Sequence, residues 1–225
     1  MKWIDKAERK FGRFGIPNLM LYIVGINALV YVIDMILVNG SGGMQSLASY
    51  LSFSVPDILN GQVWRIISFI CLPPASSPMW IVINLYFYYL MGSWLENAWG
   101  SFRFTLYYVI GILGTILAGL VTGYATNSYI NLSLFLAAAQ LFPDSELLVF
   151  FILPVKMKYL AYIDWLILLM SFIFSDWGGR IAILVSILNF LLFFGNDFIN
   201  RIRHYFKYRK QRQNFKRQMN QTPWR

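Results

Sequence analysis

Histidine and cysteine are nearly missing from this chain: 225 residues contain one of each, His204 and Cys71. A lone cysteine excludes an internal disulfide and any cysteine-rich metal site. With one histidine and no paired-acid cluster, no metal and no cofactor is expected. Charge is scarce as well. Only 13% of residues are charged, against 58% hydrophobic and 18% aromatic, and the mean hydropathy is +0.54. A water-soluble domain needs more polar residues than this to cover its surface. The fold class expected is an all-α membrane protein, built as one membrane domain.

The charges that are present are lopsided, with a net charge of +9. In a soluble protein that would point to nucleic acid. Here it reads as basic residues gathered on the cytoplasmic side near anionic lipid, so no nucleic-acid partner is expected. The first apolar run follows a charged segment and is long enough to span, so it reads as a retained helix with no cleavable signal.

Apolar runs place six spans at about residues 18–38, 78–97, 102–122, 129–142, 159–175 and 180–199. The fourth is short for a bilayer, which suits a helix surrounded by protein. With both termini cytoplasmic, 17 of the 19 Lys and Arg residues lie inside, and only Arg65 and Arg180 lie outside. The domain plan is then an interfacial N-terminal segment (1–17), a six-helix domain (18–200) with a long first loop (about 39–77), and a basic cytoplasmic tail (201–225). Trp3, Ile4, Phe11 and Phe14 are expected to dip into the headgroups. The tail alternates basic residues with Ile202, Tyr205, Phe206, Tyr208 and Phe215, as an amphipathic surface helix would. The run Asn39-Gly40-Ser41-Gly42-Gly43 breaks the first helix.

Two stretches are more specific. Gly61-Gln62-Val63-Trp64-Arg65 falls in the long first loop. Asn84, Gly92, Glu96 and Gly100-Ser101 follow through the second span as Asn-x7-Gly-x3-Glu-x3-Gly-Ser. The third span then carries Gly111, Gly114 and Gly119, which form the four-residue pairs Gly111 and Thr115, Gly114 and Ala118, and Thr115 and Gly119. Small residues at that spacing let helices approach closely in lipid.

The tryptophan-arginine pair, the Asn-Gly-Glu-Gly-Ser spacing and the glycine stripe, in this order over about residues 40–200, resemble the rhomboid-like superfamily. That superfamily includes intramembrane serine proteases and inactive relatives such as derlins and iRhoms. The resemblance implies a six-helix bundle in which an active member presents a serine from Gly-x-Ser-Gly at the start of a short fourth helix. A histidine on the sixth helix acts as its base, and an asparagine and a second histidine on the second helix hold the oxyanion. Here the corresponding segment reads Thr126-Asn127-Ser128-Tyr129, with neither flanking glycine. The base position falls near Ile183, the oxyanion histidine at Trp80, and only Asn84 matches. A serine hydroxyl is a poor nucleophile until a base takes its proton. Asp34 and Asp164 are the acids inside spans; Asp164 is expected near the inner face, paired with Lys156 or Lys158.

The resemblance therefore implies a proteolytically inactive member that binds membrane lipid and the transmembrane segments of client proteins. Asn84, Thr126, Asn127, Ser128 and Asn131 would line a polar outer cavity. If the chain were active, Ser128 would be the nucleophile and Asn84 the oxyanion donor. A third class, a small transporter or channel using Asp34 or Asp164, has no inverted repeat to support it. The expected location is a multi-pass position in a bacterial cell membrane. Oligomeric state is left open.

Overall fold

The computed structural model describes residues 2–40, 46–74, 77–149 and 153–195. The basic tail from Arg201 to Arg225 with His204, the breaker residues 41–43 and the Trp3 side chain lie outside the described residues.

Four helices are long and apolar enough to cross a membrane, which suggests an α-helical membrane protein: α2 (Leu19–Gly40), α7 (Ser101–Thr122), α9 (Met157–Phe174) and α10 (Trp177–Gly195). Between α2 and α7 lies α6 (Pro78–Trp99), as long as either but interrupted by Asn84, Glu96 and Asn97. The 14-residue α8 (Ser128–Leu141) measures roughly 21 Å at the helical rise, short of the roughly 30 Å hydrocarbon layer. Its length is tolerable because Leu134, Ala137 and Ala138 are fully buried, so protein rather than lipid surrounds it. Outward faces are the reverse: Leu21, Leu29 and Ile36 on α2, Leu117 and Val121 on α7, and Leu166, Leu169 and Ile173 on α9 are all exposed. A face of this kind is stable against acyl chains and not against water.

The most enclosed of the four long helices is α7, 44% buried against 11% for the apolar stretch of α2. The glycine stripe explains this. A Cβ on Gly114 would stand 2.8 Å from the Val185 side chain of α10, and one on Gly111 would stand 3.0 Å from Asn189 Nδ2. Gly119 faces Phe53 and Ala125 at 2.8 Å in the same sense. Inside this contact Tyr107, Ser133 and Asn189 form a buried polar chain, with Ser133 Oγ bonded to the Tyr107 hydroxyl and accepting from Asn189 Nδ2 at 3.3 Å. One end of the bundle is closed by aromatic rings: Trp99 on Phe194 at 5.1 Å, Tyr107 edge-on to Phe193 at 5.0 Å, and Phe190 stacked on Phe194 at 5.1 Å.

The Gly-x3-Glu-x3-Gly-Ser spacing is a corner. Gly92 lets α2 pass close to α6, since a Cβ there would meet Met20 Cγ at 2.4 Å. Gly100 takes φ +85°, which L side chains rarely adopt, and its N–H closes α6 on the Glu96 carbonyl at 2.7 Å. Glu96 Oε1 then accepts from Ser101 Oγ at 2.7 Å and from the Asn18 N–H at 2.8 Å. One carboxylate thus ties the α6–α7 turn to the entry of α2.

The N-terminal segment is a helix, α1 (Lys2–Phe11), followed by a 3-10 turn at Gly12–Phe14. Ile4 does not reach outward as expected; it is 6% exposed and packs into the bundle core, while Phe11 and Phe14 stay exposed. Glu8 pairs with Arg103 of α7 at 2.7 Å, and Ile16 N donates to Thr105 Oγ1 at 3.1 Å. These contacts turn α1 so that Ile4 points inward.

The first loop is built of three short helices, α3 (Leu47–Leu51), α4 (Val55–Leu59) and α5 (Arg65–Ser68), and a 3-10 turn at Phe69–Cys71. Arg65 organises it. Its Nη1 donates to the carbonyls of Ser49 at 2.7 Å and Ser52 at 2.8 Å, its Nε to Gln62 Oε1 at 2.7 Å, and Nη2 lies 3.5 Å from Asp57. Trp64 Nε1 adds a 3.4 Å bond to the Tyr50 carbonyl. The fork geometry of a guanidinium suits this set of diverging acceptors. Asp34, near the end of α2, accepts from Ser46 Oγ at 2.8 Å and from the Leu47 N–H, so it anchors the start of α3. Between α8 and α9 the chain adds what hydropathy did not foresee, an antiparallel hairpin of β1 (Glu146–Val149) and β2 (Leu153–Lys156) with Glu146 opposite Lys156.

Candidate functional site

Both α6 and α9 pack on α8, and a cleft of about 370 Å³ runs along α8 between them. Its walls are mostly apolar, with Phe87 and Met91 from α6, Leu132 and Phe135 from α8, and Leu160 and Ile167 from α9. Four polar residues interrupt them: Asn84, Ser128, Asn131 and Asp164.

Of the five residues expected to share a cavity, three line this cleft and two do not. Asn84, Ser128 and Asn131 do. Asn127 is buried and turned toward the first loop, where its Nδ2 donates to the carbonyls of Leu72 at 2.7 Å and Ile70 at 3.3 Å. The 3-10 turn at Phe69–Cys71 leaves those carbonyls without helical partners, and Asn27 of α2 donates to the same Ile70 carbonyl at 3.3 Å. Asn127 is therefore a staple between loop and bundle. Thr126 faces a separate small cavity with Tyr129 of α8 and Ala182 of α10.

Ser128 opens α8 and is exposed. Its Oγ stands 3.0 Å from Thr126 Oγ1, and among the described residues that hydroxyl is its one side-chain partner. Two neutral hydroxyls exchanging a hydrogen bond do not make a nucleophile. The face of α10 nearest the start of α8 carries Ala182 and Ser186, whose Oγ donates to the Tyr129 carbonyl at 2.7 Å. Ile183, the expected base position, is fully buried and lines a different cavity with Trp165, Leu168 and Phe172. Ala182, one position before Ile183, is the residue beside Thr126 and Tyr129, because one step along a helix rotates a side chain by about 100°. An acid that sequence reasoning passed over, Asp176, stands between α9 and α10. It is used as a cap: Oδ1 accepts from the Gly179 N–H at 2.9 Å and lies 3.4 Å from the Tyr124 hydroxyl. Burial, then the Asp176 charge, pushes the Tyr124 phenol above its ordinary range. Trp80 is half exposed near the start of α6.

Asp164 differs most from expectation. Lys158 pairs with Asp144 across the hairpin base at 2.8 Å, and the lysine holds the Asp144 carboxyl below its usual range. Six positions along α9 separate Lys158 from Asp164, which places them on different faces and roughly 9 Å apart in height. Asp164 is 9% exposed, and its Oδ2 has no hydrogen-bond partner among the described residues. Asn131, 5% exposed, leaves its Oδ1 equally unpartnered and lies against Tyr88. Nothing in the local sequence distinguishes Asp164 from a snorkelling acid; only the packing of α9 on α8 turns it into the cleft.

Among the described residues no group of three or more His, Cys, Asp or Glu side chains is placed to hold a metal ion. No protein-family model matches the sequence, and no curated protein matches it.

Proposed function

We propose that this chain is a proteolytically inactive, rhomboid-like integral membrane protein whose cleft between α6 and α9 seats transmembrane segments of client proteins. In this reading six helices, α2, α6, α7, α8, α9 and α10, cross the membrane, both termini are cytoplasmic, and the membrane is that of a bacterial cell. The observation that carries it is the cleft itself: an apolar groove beside the short α8, lined in part by Ser128, whose one side-chain partner among the described residues is the Thr126 hydroxyl. Side chains of a passing helix fit a groove of about 370 Å³, and in lipid such helices associate by close packing and by hydrogen bonds across the interface. In this reading the corner built on Gly92, Glu96 and Gly100, and the loop clamped by Arg65, hold the scaffold around the cleft.

The test uses full-length protein in liposomes and a designed single-span helix of leucine and alanine. A photo-crosslinker at Ile163 in the cleft should capture the helix well above the same crosslinker at Leu21, exposed on α2. Equal capture at both positions would refute the proposal. The protease reading keeps one favourable fact, that Ser128 and Asn84 line the same cleft. A serine-directed fluorophosphonate should leave the protein unlabelled; labelling that disappears in Ser128→Ala would establish the protease instead.

A further inference from the structure

The cleft has hydrogen-bond acceptors and no cation. Among the described residues, Asp164 Oδ2 and Asn131 Oδ1 are both buried and both lack hydrogen-bond partners, and no Lys, Arg or His lines the walls. Resting on the client-binding reading above, we propose that the preferred occupant is a transmembrane helix carrying one lysine or arginine at the depth of Asp164, whose ammonium or guanidinium donates to the Asp164 carboxylate and the Asn131 carbonyl oxygen.

Three observations converge on this. The first is burial: Asp164 is 9% and Asn131 5% exposed, so neither acceptor is satisfied by bulk water. A buried polar group without a partner is costly, and the cost is recovered when a donor arrives. The second is placement. Asn131 lies one turn below the start of α8 at Ser128, and Asp164 lies seven residues into α9 from Met157, roughly 10 Å from that end. Both residues line the same groove. The third is complementarity. Three donors among the described residues are committed elsewhere: Lys158 to Asp144, Arg180 to the Phe172 and Ile173 carbonyls, Asn127 to the loop. A charged residue at membrane depth is rarely tolerated unless it has a partner, and a client that carries an unpaired basic residue has the matching deficit. Pairing the two relieves both.

The experiment compares designed single-span helices that differ at one position: leucine, lysine at the depth of Asp164, or lysine moved two turns away. Each is mixed with the full-length protein in phosphatidylcholine liposomes, and capture by a photo-crosslinker at Ile163 is measured. The depth-matched lysine helix should be captured about tenfold more than the leucine helix. The gain should vanish when the lysine is displaced, and should vanish in Asp164→Asn when read as the ratio of lysine-helix to leucine-helix capture. Equal capture of leucine and lysine helices by the wild-type protein overturns this inference and leaves client binding standing. A lysine preference that survives Asp164→Asn, or that ignores depth, also overturns it. Failure to capture any helix at Ile163 removes the seat itself and overturns both readings. The depth series needs no variant, so it stays decisive even if Asp164→Asn folds poorly.

Discussion

Arg65 is 5% exposed and holds two backbone carbonyls and the Gln62 amide oxygen at 2.7–2.8 Å, with Asp57 at 3.5 Å. Replacing it by alanine removes three charge-assisted bonds, each worth about 1.5–3 kcal/mol. Part of that returns from water, because Ser49 is exposed and the Asp57 side chain is 40% exposed; the Asp57 pair itself adds little. A net loss of about 3 kcal/mol follows, or about 100-fold in the opening equilibrium of the loop. The loop contains its own reporter. Cys71 ends the 3-10 turn beyond α5, is half-buried, and burial raises its thiol above the ordinary value. The thiolate is the reacting form, so the folded loop suppresses labelling twice, by access and by protonation. Arg65→Ala should speed maleimide labelling of Cys71 by about tenfold or more at neutral pH. It should also move the pH profile of labelling downward, toward that of a free cysteine, because the opened loop gives back the lower, ordinary pKa. Arg65→Lys, with one point charge for four acceptors, should fall between the two. Wild-type labelling rate and wild-type thermal unfolding in Arg65→Ala would refute the view that this residue clamps the loop.

Two further outcomes follow from the packing. Gly92→Ala should cost about 1–3 kcal/mol by overpacking, because its Cβ meets the Met20 side chain, and Met20→Ala should relieve part of that cost; Gly15→Ala, whose Cβ would stand 2.6 Å from the Phe102 backbone nitrogen, should gain nothing from Phe102→Ala. Thermal unfolding of the single and double variants checks both. Tyr107→Phe should lower stability by about 1–2 kcal/mol, and the effect should be less than additive with Ser133→Ala, since both belong to one buried chain with Asn189.

How far the sequence could be read is clearest from individual elements. A helix expected over about 102–122 occupies Ser101–Thr122, and one expected over about 129–142 occupies Ser128–Leu141. Both follow from local facts, an apolar run ended by a glycine or a proline. The hairpin at Glu146–Lys156 was not legible, because two four-residue strands in an apolar stretch carry too short a pattern to separate from a helix end. Within the site, Ser128, Asn131 and Asn84 meet in one cleft, but Asn127, adjacent in sequence to Ser128, serves the first loop. Neighbours along a helix start point in different directions, and which direction meets a carbonyl and which meets a groove depends on the elements packed outside.

Composition alone determined the solvent. A chain this apolar, with small residues at four-residue spacing and so few charges, has to bury its backbone polarity in helices and expose its side chains to lipid. Tertiary structure alone decided the fate of the rare polar groups. Arg65 became a clamp and Glu96 a corner post, while among the described residues Asp164 Oδ2 and Asn131 Oδ1 were left in a mostly apolar groove without hydrogen-bond partners. The physical reason is range: helix formation and membrane partition are set within about twenty residues, whereas the partner of a buried charge is chosen by whichever distant segment the packing brings beside it.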